Sequence, residues 1–282
     1  MAKLSVQILT KNEATFIARA IASTRKFADE VVVVDCGSED DTAKLAERLG
    51  ARVVMQSWLG WVGQRNVGLA NCSNDWVMSL EADEIVTPEL ADSIFAAMNA
   101  NPDPKDGFVV TRVDEFLGQL MPNMQRAQKR RTFVRLFNKR FSNWDPEISV
   151  HEYVLCPGSL HILEGDLIHW RNYTISQQMQ TLNRNAELES DMIFQRGKQS
   201  LVKMTLKPFA RFLWIYLICG AWRRGARGYI WARLHATAEF LRQSMAWERA
   251  RVIPMPHPPE SVVTAPNKQA EGSVVRSPQP VK

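Results

Sequence analysis

Four consecutive valines, Val31, Val32, Val33 and Val34, form a β-branched run with no polar alternation. Such a run suits a strand buried on both faces of a parallel sheet. It belongs to a series. Residues 4–9, 52–55 and 76–80 also read as short strands. Helical spacing lies between them. Residues 15–24 repeat through Phe16, Ala20 and Ile21. Ser38 reads as an N-cap, with Asp40 and Asp41 in the first turn, Leu45 and Leu49 on the apolar face and Gly50 at the end. Residues 61–70 look helical, and Thr87-Pro88-Glu89 is a helix start with a cap, a proline and an acid. The alternation predicts a doubly wound, mostly parallel α/β sheet over residues 1–112 with right-handed crossovers. Ligands on such sheets bind at the carboxyl ends of the strands.

Composition narrows the class. Of 282 residues, 45% are hydrophobic and 23% charged, which excludes a largely disordered, collagen-like or coiled-coil chain. Four scattered cysteines without a C-x-x-C argue against zinc or a disulfide framework and fit a reducing compartment. The start lacks the apolar core and small-residue cleavage site of a signal peptide. The longest apolar stretch, residues 212–221, falls short of the ~20 residues of a membrane span. The expected location is cytoplasmic, peripheral on the cytoplasmic face of a membrane if the protein sits on a membrane surface. Residues 113–172 are less regular and hold three of the five histidines. Residues 173–250 are helical, opened by Thr174 and closed first at Gly197, with Ile175, Met179, Leu182, Ala186 and Ile193 on one face. Residues 251–282 carry seven of the fourteen prolines and read as a disordered tail.

The strand ends carry polar clusters: Thr10-Lys11-Asn12-Glu13, Asp35-Cys36-Gly37-Ser38 and Glu81-Ala82-Asp83-Glu84. One such cluster is an ordinary helix cap, but three converging on one sheet edge suggest a site. Glu81 and Asp83, two residues apart, can both approach a divalent cation. Hard oxygen ligands suit Mg²⁺ or Mn²⁺, which grips a diphosphate. Neither a G-x-x-x-x-G-K-[ST] loop nor a G-x-G-x-x-G fingerprint is present, which disfavours nucleotide hydrolysis and nicotinamide chemistry.

These blocks, with Gly63-Gln64-Arg65-Asn66, Val150-His151-Glu152 and Ile168-His169-Trp170, make the chain resemble a family 2 glycosyltransferase of the GT-A fold. More narrowly, it resembles the bacterial lipopolysaccharide core β-glucosyltransferases. The resemblance covers residues 1 to about 250. It implies a GT-A domain over 1–172, with a nucleotide-sugar half (1–112) and an acceptor half (113–172). A C-terminal helical region (173–250) and the tail (251–282) follow. It implies an inverting hexosyltransferase that moves a sugar, glucose by analogy, from a nucleotide diphosphate sugar, a UDP-sugar by analogy, to a lipopolysaccharide core or related glycolipid. Thr10, Asn12, Glu13, Asp35 and Gly37 would hold the base, with Gln64, Arg65 and Asn66 near the nucleotide. Glu81 and Asp83 stand where the family has D-x-D, for ribose and metal, Glu81 being one methylene longer.

Inversion by direct displacement needs one general base. Glu152, beside His151, matches its expected position; Glu147, Asp145 and Glu115 are alternatives, and a salt bridge is the plainer use of Glu152. His151 and His169 suit metal or phosphate ligation or simple structural hydrogen bonding. Arg126, Lys129, Arg130 and Arg131 could face an anionic acceptor or lie in a solvated loop. Residues 201–250 hold nine Lys or Arg against two acids, together with nine aromatics. That mixture suits an interfacial helix pair on an anionic membrane, with two ordinary packing helices as the alternative. No recognition motif supports nucleic acid. The competing function class is a nucleotidyltransferase or a non-catalytic nucleotide-sugar-binding module. The acids Asp83 and Glu152 and the lack of a glycine-rich basic loop favour the transferase.

Overall fold

The computed structural model describes residues 2–124, 133–144, 153–171, 173–197 and 200–251. Strands β1 (Leu4–Thr10), β2 (Glu30–Asp35), β3 (Arg52–Met55) and β4 (Trp76–Glu81) are parallel and lie in the order β3-β2-β1-β4. The sheet continues through β9 (Val134–Asn138), β6 (Gly107–Val109) and β12 (Leu160–Ile162), with β9 running against the other six. Helices α1 (Ile17–Thr24), α2 (Thr42–Arg48) and α4 (Pro88–Asn99) cover one face, and α3 (Gly60–Asn71) covers the other. This is the doubly wound α/β architecture that the strand–helix alternation predicts. The Val32–Val34 segment is fully buried, as a two-sided strand requires. Thr87 caps α4, accepting from the Leu90 N–H.

One local expectation is corrected. Helix α2 begins at Thr42, so Asp40 and Asp41 precede its first turn. Ser38 Oγ accepts from the Asn12 N–H instead of capping the helix, and Asp40 accepts from the Thr42 N–H at 3.0 Å. Residues 36–41 are drawn out into a loop that clasps the end of β1.

The two faces of the central sheet differ in polarity. Leu4, Val6 and Ile8 of β1 pack with α1 and α4 in the larger core. On the α3 face the register sets Gln7 beside Ser79, and Gln7 Nε2 donates to Ser79 Oγ at 3.0 Å. Gly68 allows α3 to approach this polar floor, since a Cβ there would lie 2.0 Å from Gln7 Oε1. Arg65, one turn earlier on the buried side of α3, reaches the same floor.

A second sheet, in the order β5-β13-β7-β8, joins β5 (Glu84–Val86), β13 (Leu167–His169), β7 (Arg112–Phe116) and β8 (Gln119–Leu120). A small antiparallel pair, β10 (Asn143–Trp144) with β11 (Val154–Leu155), stands beside α3. The C-terminal helices are α5 (Ile175–Gln195), α6 (Leu201–Leu213) and α7 (Gly225–Arg249). Thr174 opens α5 with a capping box completed by Gln177. A π-helical turn (Trp214–Ile218) and a 3₁₀ turn (Ala221–Arg224) link α6 to α7. These helices share a core with the second sheet: Phe116 and Met121 pack with Leu182, Ile215 and Trp231, and the Phe116 and Trp231 rings lie 5.2 Å apart. Residues 252–282 lie outside the described residues, as does the expectation of a disordered tail.

Gly68→Ala should push the buried Gln7 amide off Ser79 and overpack the seam between α3 and β1. Overpacking of this kind costs about 1–3 kcal/mol, and a thermal melt should show a Tm lowered by several degrees with the secondary structure retained.

Candidate functional site

Parallel pairing brings three strand ends to one edge. Thr10 lies opposite Asp35, and Leu9 opposite Glu81. Asp35 is fully buried; its Oδ1 accepts from the Gly37 and Ser38 N–H groups at 2.8 and 2.6 Å. Gly37 sits at φ +86°, the left-handed conformation that lets the chain fold back onto the carboxylate. Asp35 Oδ2 and Thr10 Oγ1 are buried with no hydrogen-bond partner. Two polar atoms left this way on neighbouring strand ends are a place for a ligand's polar edge. Asn12, at φ +56°, ties its loop to the next: Oδ1 accepts from the Glu39 N–H at 2.8 Å.

A buried cluster of charges forms beside that edge. Glu81 Oε1 lies 2.9 Å from Arg65 Nη2 and 3.4 Å from Arg135 Nη2. Its extra methylene relative to aspartate serves this reach. Arg65 is buried, donates to Ser79 Oγ, and stacks over Trp144 at 4.5 Å. It therefore meets the site through Glu81. Glu84, fully buried, accepts from the Glu81 N–H and lies 3.2 Å from Arg135 Nη2.

The second sheet delivers the opposite wall. Strand β13 lies between β5 and β7, so His169 stands opposite both Glu84 and Asp114. His169 Nδ1 is 2.9 Å from Asp114 Oδ1, and Nε2 is 3.1 Å from Asp83 Oδ2. Arg112 Nη2 lies 2.6 Å from Nδ1. Arg171 Nε lies 2.6 Å from both Asp83 Oδ2 and His169 Nε2. Glu81, Asp83 and His169 each present a ligand atom, all within 4.8 Å of one another. Two carboxylate oxygens in that set suit Mg²⁺ or Mn²⁺, so the residues present fit a divalent cation.

Burial raises the pKa of each carboxyl here, and the neighbours decide the net direction. The Arg135 and Arg65 guanidinium groups outweigh burial and hold Glu81 well below the usual range. Burial raises the Asp83 carboxyl, but the His169 hydrogen bond, then the His169 and Arg171 charges, prevail and its net shift is down. Glu84 moves up, since burial and the Glu81 charge outweigh Arg135. Burial and Arg112 push the His169 imidazole down, but hydrogen bonds to Asp114 and Asp83 prevail and its net shift is up. Glu13 is pushed up to about 7, by burial first and then by the Asp83 charge.

Of the residues singled out in the sequence, the structure brings Thr10 and Asp35 together at the strand ends, and Glu81, Asp83 and His169 together beside them. Gln64 is buried beside the end of β2: its Nε2 lies 3.0 Å from Cys36 Sγ and donates to Gln56 O at 2.9 Å, and its Oε1 accepts from the Leu59 N–H at 3.3 Å. Asn66 is exposed, about 100° round α3 from Arg65. Glu115 Oε1 accepts from the Gly118 N–H, closing the β7–β8 hairpin. Glu152, His151, Glu147, Asp145, Arg126, Lys129, Arg130 and Arg131 lie outside the described residues. Sequence reasoning missed Arg112, Asp114, Arg135 and Arg171. Only Arg171 carried a local signal, two residues beyond His169.

Comparison with known proteins agrees with this geometry. A sequence model of the family described as glycosyl transferase family 2 matches residues 5–154. An uncharacterized glycosyltransferase of Rickettsia felis is 33% identical over 260 residues, covering 86% of this chain and 88% of its own. The lipopolysaccharide core biosynthesis glycosyltransferase LpsC of Rhizobium meliloti is 28% identical over 253 residues, covering 87% and 92%. A solved structure of glucosyl-3-phosphoglycerate synthase from Mycobacterium tuberculosis, in complex with Mn²⁺, uridine diphosphate and phosphoglyceric acid, is 25% identical over 39% of this chain and 43% of its own. Its TM-score of 0.35 is too low to bear on what this chain binds.

Glu13 gives a pH prediction. With a folded-state pKa near 7 against an ordinary 4.5, the folded form binds more protons than the unfolded chain between those values. Stability should therefore fall as pH rises through that window. In urea titrations with a chelator present, Glu13→Gln should gain stability relative to the parent from about pH 5 to pH 8. An unchanged difference between the two would contradict the assignment.

Proposed function

The chain belongs to glycosyl transferase family 2, and from that premise we propose that it is an inverting hexosyltransferase. It transfers a sugar from a uridine diphosphate donor to a lipopolysaccharide core or a related surface glycolipid. The observation that carries the reading is the convergence of Glu81, Asp83 and His169, with ligand atoms within 4.8 Å of one another, beside the carboxyl ends of β1 and β2.

The division of labour follows from the chemistry. Asp35 Oδ2 is an acceptor with no partner, suited to the ring N–H of uracil, and Thr10 Oγ1 lies on the neighbouring strand. Glu81, Asp83 and His169 would hold the divalent cation. When bound, that ion supplies Lewis-acid stabilisation of the leaving diphosphate. Arg65 and Arg135 fix the Glu81 carboxylate in place and keep it ionised. Asp114 and Arg112 orient the imidazole of His169 from its other side. Glu152 is the general base that takes the acceptor hydroxyl's proton as that oxygen attacks the anomeric carbon. The bond to the diphosphate breaks in the same displacement, and the configuration inverts. The acceptor class draws its support from the match to LpsC, which spans nearly the whole of both chains.

Thermal unfolding with UDP-glucose and Mn²⁺ tests the donor site. A ligand at a hundredfold its Kd adds about 2.7 kcal/mol, and the resulting Tm shift should require the metal. Asp83→Ala should lose both that shift and sugar transfer while keeping its circular dichroism spectrum. Metal-dependent turnover by Asp83→Ala would sink the metal assignment. Glu152→Gln should lower kcat by a factor on the order of 10² or more with donor affinity retained. A collapse of donor affinity would make Glu152 a structural residue.

A further inference from the structure

The C-terminal helices leave an apolar ridge in the open. Helix α6 has no buried residue. Val202, Leu206, Phe209 and Leu213 follow at helical spacing along one side of it, and all four are exposed. The ridge runs on through the linking turns: Leu217 is 54% exposed, Ile218 72% and Trp222 51%. Side chains of this size in one contiguous exposed strip mark an interaction surface.

Charge identifies the occupant. No acidic residue occurs between Asp191 and Glu239, while nine Lys or Arg do. Arg223, Arg224 and Arg227 are exposed just beyond the ridge. An apolar ridge with exposed arginines beside it matches an anionic lipid surface: the ridge enters the acyl boundary and Arg223, Arg224 and Arg227 meet phosphate. A second copy of the same face would set like charges against each other. Among the described residues no helix is long and apolar enough to cross a membrane, so the contact is with one leaflet.

We infer that α6 and the turns after it dock this protein on an anionic bilayer, with Arg223, Arg224 and Arg227 meeting the lipid phosphates. The inference stands apart from the donor site and does not depend on the proposed reaction. Co-sedimentation of the full chain with phosphatidylcholine vesicles and with mixed phosphatidylcholine–phosphatidylglycerol vesicles tests it. Binding to the mixed vesicles should exceed binding to the neutral ones by at least about tenfold and fall with added salt. Leu206→Glu combined with Phe209→Glu should abolish binding. Both positions are exposed, and an unchanged nucleotide- and Mn²⁺-induced Tm shift would show that the donor site is intact. Arg223→Ala with Arg224→Ala and Arg227→Ala should remove the preference for anionic lipid. Equal binding to both vesicle types, or none to either, overturns the inference. So does a parent protein that elutes as a dimer while the Leu206→Glu, Phe209→Glu variant elutes as a monomer, for then the ridge is covered by a second chain.

Discussion

A buried carboxylate is costly unless cations and hydrogen bonds compensate it, and this requirement organises the site. Glu81, Asp83 and Glu84 follow one another within four residues at the end of a buried strand. Arg65 comes from α3, Arg135 from β9, Arg112 from β7, and Arg171 follows β13. Each of these elements must be in place before the acids can be buried. The charges therefore act as a registry device between the two sheets, and because Glu81 meets both Arg65 and Arg135, and Asp83 both His169 and Arg171, each acid is compensated from more than one element. The same compensation readies the acids for a metal, because Glu81 and Asp83 are held ionised.

What could be read from the chain followed the range of the interactions. The valine run, the Thr87-Pro88-Glu89 start and the helix opening at Thr174 are local, and their elements form where the pattern predicts. Ser38 was misjudged as a cap because its hydroxyl is claimed by the backbone of Asn12, from a strand end distant in sequence. The acids at the end of β4 and Arg65 were legible; Arg112, Asp114 and Arg135 were not. Arg135 lies 51 residues from Glu84 and Asp114 lies 55 from His169. Nothing in the local pattern marks Arg112 or Arg135 among the other basic residues of the chain. The fate of Gln64 was hidden in a similar way, since a short-range bond to Gln56 O competes with any ligand for its amide.

The central sheet divides its labour by face. Toward α1, α2 and α4 it is apolar and supplies most of the core. Toward α3 it carries Gln7, Ser79 and, through Arg65, a path of polar contacts that ends at Glu81. Rigid packing on one side and hydrogen-bonded positioning on the other let the strand ends hold their geometry while the loops above them stay free to vary.

The antiparallel seam between β5 and β13 gives the site a parity. Leu167 pairs with Val86, Ile168 with Ile85 and His169 with Glu84. Successive side chains of a strand point to opposite faces, so sliding β13 by one residue would turn the imidazole away and put an apolar side chain opposite Glu84. Lengthening or shortening the chain ahead of β13 is harmless only if the strand docks in its present frame. Among descendants of this sequence, insertions before residue 167 should persist where the loop absorbs them whole and vanish where they shift that frame.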